Sequence, residues 1–143
     1  MTQDPSGLLD TNTLILLPRL TDPAVLPERP AISAITLAEL SVGPLVATDP
    51  AERAARLAHL QQAEADFDPL PFDADAARAF GQAAASLRRS GRKASARAYD
   101  AMIAAIAIAN GLPLHTCDPD DFADIDGLTV VAVAHPDGPP EAV

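Results

Sequence analysis

The sequence predicts an α/β fold built on a largely parallel sheet, and three observations carry that prediction. Short apolar runs alternate with longer stretches of helical periodicity, the pattern of strand–helix–strand units. The runs are apolar on both faces where they can be read, as strands covered on each side must be. The helical stretches are punctuated by caps and breakers at their ends.

Taken in order, strands are expected at Gly7–Leu9, Ala31–Ile35, Phe67–Leu70, Leu114–Thr116 and Thr129–Val133. Pro18–Pro30 holds four prolines and reads as a loop with room for one helical turn. A short helix follows Thr36 and carries Leu37, Leu40 and Leu45. Asp49-Pro50-Ala51-Glu52 supplies an N-cap, a first-turn proline and an acid three residues after the cap, opening a helix to about Ala65. Asp73 caps the next, whose Ala77, Phe80, Gly81, Ala84 and Leu87 recur at helical spacing until Ser90-Gly91 ends it. Another spans Ala98–Asn110 and stops at Gly111, with Pro113 just beyond.

A length of 143 residues fits one domain, expected over residues 1–134, with 135–143 as a flexible tail. The single cysteine, Cys117, excludes an internal disulfide framework and suits a reducing cytoplasm. No basic-then-apolar leader is visible at the N-terminus, and the longest apolar run, Ala101–Ala109, is too short to span a bilayer. A soluble, cytoplasmic protein with no membrane partner is expected. Its net charge of −10 is an unusual sign for a protein that meets nucleic acid, unless cations or a local basic patch compensate. Five of the ten basic residues, Arg88, Arg89, Arg92, Lys93 and Arg97, form such a patch.

Ligands of an open parallel sheet bind outside the carboxyl ends of its strands. Asp10 directly follows the first strand, and Asp118 follows the fourth by two residues. Glu39 sits in the first turn of the helix after the second strand, and Asp100 in the first turn of the helix that feeds the fourth. All four acids can therefore converge on one rim. The Asp73–Ser90 helix is one more than a simple crossover needs. It is expected to lie across or protrude from the body, bringing the basic stretch near the acidic rim.

Two carboxylates about 4 Å apart repel by roughly 4 kcal/mol at an effective dielectric near 20. A fold keeps such groups together when a proton or a cation sits between them. Mg²⁺ and Mn²⁺ prefer carboxylate oxygen, and either can activate water for attack on a phosphodiester. His59, His115 and His135 are too dispersed to offer a zinc site. Each acid also has a purely structural reading. Asp10 can cap a helix, Asp100 can complement a helix dipole, and Asp118 can form a turn with Pro119-Asp120-Asp121. Glu39, on a helix otherwise lined with Leu and Ala, is harder to explain that way.

The chain resembles the PIN-domain nucleases, and more closely the VapC-type toxins of bacterial type II toxin–antitoxin pairs. The resemblance rests on four blocks in order, LLDTN (Leu8–Asn12), ISAITLAEL (Ile32–Leu40), YDAMIAAIAIANGLPLHT (Tyr99–Thr116) and DPDDF (Asp118–Phe122). It implies a three-layer α/β/α sandwich with a central, mainly parallel five-stranded sheet, and a homodimer. It also implies Mg²⁺ or Mn²⁺ held by Asp10, Glu39, Asp100 and Asp118, with Thr116, Asp121 and Asn12 as auxiliary site residues. The implied function is that of an endoribonuclease toxin cleaving tRNA or rRNA, silenced by a cognate VapB-type antitoxin. The family often has Asn where this chain has Asp118, which weakens the case for that residue as a direct ligand.

Three alternatives compete. A PIN-type nuclease with a non-toxin RNA-processing role would share the site. An aspartyl phosphatase would want a second Asp where Asn12 stands, and a receiver domain would want a rim lysine, whereas the only lysine is Lys93. A non-catalytic binding module gains no support from four intact acids. With five aromatic residues and no tryptophan, a multi-base stacking platform is not expected. Recognition of folded RNA through phosphate contacts by Arg88, Arg89, Arg92, Lys93 and Arg97 is the expectation. The plain alternative is that these residues solubilise a loop or pair with acids.

Overall fold

In a computed structural model describing residues 5–20, 22–92 and 97–138, four parallel strands form the centre of the molecule. They are β1 (Ser6–Leu9), β2 (Arg29–Ala31), β3 (Leu114–Thr116) and β4 (Val130–Ala132), in the order β2-β1-β3-β4. The fifth expected strand shrinks to one bridge, Leu70 with Ser33, in which Leu70 N donates to Ile32 O at 2.9 Å and Ala34 N donates to Leu70 O at 2.8 Å. The partner segment enters α2 at Ala34, directly after Ser33, so the ladder has no extended chain to continue along beyond that point.

The helices are α1 (Thr11–Leu16), α2 (Ala34–Val46), α3 (Pro50–Asp66), α4 (Ala74–Arg89) and α5 (Ala98–Ala109), with short 3₁₀ turns at Leu17–Arg19, Pro23–Val25 and Pro119–Asp121. The caps at Asp49 and Asp73 act as read, each side chain accepting from the backbone N–H three residues on. Two expectations change. The second strand occupies Arg29–Ala31 rather than Ala31–Ile35, beginning inside the stretch read as a loop. It ends early because the Ser33 hydroxyl accepts from Thr36 N at 3.1 Å and takes Ala34 and Ile35 into α2. The second change concerns α4, which does not protrude. It packs along α5 as a helical hairpin and buries Ala76, Ala83, Ser86 and Leu87.

Strand alternation divides the core into two layers. Leu8 points into a cluster with Leu114, Phe122, Ile125 and the buried faces of α4 and α5. Leu9, its neighbour in sequence, points the other way, into Ile32, Leu40 and Ala63 with Leu14, Leu60 and Phe67 around them. The sheet is therefore covered on both faces, and α5 is apolar nearly all round because it is buried nearly all round. On β1, Gly7 is required by close approach, since a Cβ there would stand 2.5 Å from the His115 ring. Of the stretch expected as a tail, His135–Gly138 form a turn in which Gly138 N donates to His135 O at 2.9 Å and Asp137 pairs with Arg19, and 139–143 lie outside the described residues. No helix among the described residues is long and apolar enough to cross a membrane.

Candidate active site

From β1 the chain moves outward to β2, then crosses back to the other side of β1 to make β3. The order reverses between β1 and β3, so the crevice of this sheet opens at their carboxyl ends. Asp10 leaves β1 at that point and Asp118 lies just past β3. Asp10 is 5% exposed. Its Oδ1 accepts from Thr13 N at 3.1 Å, capping α1, while its Oδ2 accepts from the Thr116 hydroxyl at 2.7 Å. The capping and site readings of Asp10 are thus not exclusive, because each uses a different oxygen. Thr116 Oγ1 in turn accepts from Asp118 N at 2.9 Å, and Asn12 Nδ2 donates to Asp118 Oδ2 at 3.2 Å.

Glu39 reaches the rim from the second turn of α2, six residues past the Ser33 cap, rather than from the first turn expected from sequence. The Thr11 hydroxyl donates to Glu39 Oε1 at 2.7 Å and lies 3.0 Å from the Thr36 hydroxyl, linking α1 to α2. Asp100 comes from the first turn of α5. Arg97 Nη1 stands 3.6 Å from Asp100 Oδ2 and 2.9 Å from Asp121 Oδ1.

Electrostatics register how close the acids are. Asp100 is pushed from its ordinary 3.8 up to about 6, first by burial, then by the charge of Asp121, with smaller contributions from Asp10 and Glu39 against the opposing pull of Arg97. Burial also raises the carboxyl of Asp10, opposed by hydrogen bonds from Thr13 and Thr116, and Asp118 adds a little repulsion. Acids from β1, α2, α5 and the segment after β3 therefore share one field. Cys117 beside them is buried and its thiol is pushed up by that burial, the setting of an inert rather than a nucleophilic sulfur.

Such a convergence at a sheet's switch point has known counterparts. Residues 8–128 match the family described as the PIN domain. The chain belongs to the PIN-domain family. Among PIN-domain relatives, Ribonuclease VapC5 of Mycobacterium tuberculosis is 42% identical over 92% of this chain and 96% of its own length. Ribonuclease VapC4 of the same organism is 33% identical over 71% of this chain and 75% of its own length. The crystal structure of VapBC-5 from Mycobacterium tuberculosis, a member of the VapBC family of toxin-antitoxin systems, superposes with a TM-score of 0.79 at 41% identity, covering 90% of this chain and 99% of that one. DNA-bound VapBC from Salmonella typhimurium gives 0.71 at 30% identity, covering 87% and 96%.

The structure of this PIN domain brings together all seven acids and auxiliary residues expected from sequence, Asp10, Asn12, Glu39, Asp100, Thr116, Asp118 and Asp121. The basic candidates are distributed differently. Arg89 pairs with Asp126 at 2.8 Å and Arg92 with Asp124 at 3.0 Å, while Arg97 is held by the rim itself. Arg88 has no ion pair among the described residues, and Lys93 lies outside them. Sequence reading passed over Thr11, Thr13 and Thr36. Thr13 Oγ1 accepts from Cys117 N at 2.9 Å and so ties α1 to the end of β3. The signal for Thr11 and Thr13 was there, as hydroxyls on either side of Asn12 just past a rim acid.

Among the described residues, no three His, Cys, Asp or Glu side chains are already drawn around one point. The donors nonetheless fit a hard divalent ion. They are all oxygens, several acids raise one another's proton affinity, and Mg²⁺ or Mn²⁺ commonly binds through one or two carboxylates and keeps water in its other positions.

Proposed function

We propose that this protein is a divalent-metal-dependent endoribonuclease and the toxin of a VapBC-type pair, cutting tRNA or rRNA in the cytoplasm. The observation that carries the reading is the meeting of Asp10, Glu39, Asp100 and Asp118 at the β1/β3 switch point, where burial first, then the charge of Asp121, and lastly Asp10 and Glu39 lift Asp100 to about 6. The names of its relatives, ribonucleases and VapBC assemblies, supply the reaction class and the antitoxin partner. A homodimer is part of the same proposal.

Asp10, Asp100 and Glu39 would hold Mg²⁺ or Mn²⁺, with Asp118 beside them. When bound, the ion supplies charge neutralisation at the phosphodiester and lowers the pKa of the attacking water. The chain's own residues prepare that state. Thr116 and Thr13 orient Asp10 through both of its oxygens and favour its ionised form against the burial that raises its pKa. Thr11 fixes Glu39, and Asn12 fixes Asp118. These hydrogen bonds set the orientation of Asp10, Glu39 and Asp118, and the acids would still have to draw together around a cation, since among the described residues no three of them already share one point.

The test is induction of the protein in cells with mapping of new RNA ends, beside an Asp10→Asn control. The expected result is discrete new ends in tRNA or rRNA for the wild type and none for Asp10→Asn. Cleavage by purified, folded Asp10→Asn, or cleavage by the wild type that survives chelation, contradicts the proposal. An absence of new ends with the wild type favours a binding module.

A further inference from the structure

We propose that Arg97 is a built-in counter-cation of the acidic rim, which holds Asp100 and Asp121 together without metal and competes with a divalent cation for them. This rests on the reading of the rim as a divalent-cation site. Among the described residues, Arg97 is the only base within ion-pair distance of Asp10, Glu39, Asp100, Asp118 or Asp121. It spans two elements, because Asp100 belongs to α5 and Asp121 to the 3₁₀ turn after β3.

Local helix energetics do not call for a cation here. Arg97 occupies the N-cap of α5 without a side-chain capping bond, and a helix N-terminus disfavours positive charge. The side chain is placed instead by the acids it faces. Its hold is nevertheless weak. One guanidinium nitrogen serves both carboxylates at 2.9 and 3.6 Å, rather than a two-nitrogen fork closing on one of them. The side chain is also 37% exposed, so solvent screens the attraction. An ion with twice the charge and a preference for carboxylate oxygen displaces such a group. Displacement leaves the guanidinium free at the edge of the site.

The experiment is calorimetric titration of Mn²⁺ into metal-free wild type, Arg97→Gln, Arg97→Lys and Arg78→Gln. Arg78 pairs with exposed Asp75 on α4, so Arg78→Gln removes the same formal charge on a different element and controls for net charge. Arg97→Gln is expected to bind Mn²⁺ on the order of tenfold more tightly, with a lower Tm without metal and a larger rise on adding it. Arg97→Lys should stay near wild type, and Arg78→Gln should match wild type. If Arg97→Gln does not fold, Arg97→Met keeps the apolar stem and serves as the second neutral variant. Unchanged or weaker Mn²⁺ binding in a folded neutral variant overturns the role of Arg97, as does equal tightening in Arg78→Gln. A wild type that binds no Mn²⁺ overturns the cation site along with it, which separates the two failures.

Discussion

Replacing Asp100 with Asn should stabilise the metal-free protein while it destroys the candidate site. In the fold the Asp100 carboxyl is raised from 3.8 to about 6. The folded protein therefore binds more protons than the unfolded chain between those two values, and stability falls as pH rises through that window. At 1.36 kcal/mol per pKa unit, the full cost of ionising Asp100 is about 3 kcal/mol once the pH is above 7. The side chain is 29% exposed, so screening places the expected gain for Asp100→Asn at roughly 1–3 kcal/mol. The attraction of Arg97 is already contained in that pKa, so its loss adds no separate term. The assay is urea unfolding of wild type and Asp100→Asn in chelator from pH 4 to 8. The difference should grow from near zero at pH 4 to its plateau by pH 7, and Mg²⁺ or Mn²⁺ should close it by stabilising only the wild type. A difference independent of pH, or a destabilised mutant at pH 7.5, would refute the idea that the Asp100 carboxylate is held in the fold at a cost set by burial and by the neighbouring acids.

Thr116→Val removes the donor to Asp10 Oδ2 and the acceptor for Asp118 N at a fully buried position, at a cost of about 1–3 kcal/mol. It should also move the acid limb of the pH–rate profile upward, because the Thr116 bond helps hold Asp10 ionised; an unshifted limb removes Thr116 from the chemistry. Arg88→Gln should weaken binding of bulk tRNA and flatten its salt dependence more than Arg89→Gln does, because Asp126 already engages Arg89. Equal effects from the two, read by filter binding at several salt concentrations, would show that ion pairing does not decide which arginines reach RNA.

Much of the candidate site was legible because its residues follow elements that announce themselves locally. An apolar run followed by Asp10, and another followed at short range by Asp118, place acids at strand ends whatever the rest of the chain does. The capping signals at Asp49 and Asp73 were equally local, since each works within three residues. The second strand was misjudged at Ser33, where β-branched and apolar residues suited either state and one hydroxyl decided for helix. The fifth strand was over-read at Phe67–Leu70, where its partner turns into α2 at Ala34 and only Leu70 pairs.

Sequence periodicity and capping determined β1, β3, β4 and the helices α2 to α5, and which acids fall at the strands' carboxyl ends, because those are short-range properties of the backbone. Only the tertiary structure decided that Asp10 uses its two oxygens on Thr13 and Thr116, that α4 lies along α5, and that Arg97 turns toward Asp100 and Asp121. Those outcomes depend on groups up to 106 positions apart meeting at fixed distances, as Asp10 and Thr116 do. Such meetings are set by how the layers pack around β1 and β3, and no local pattern encodes them.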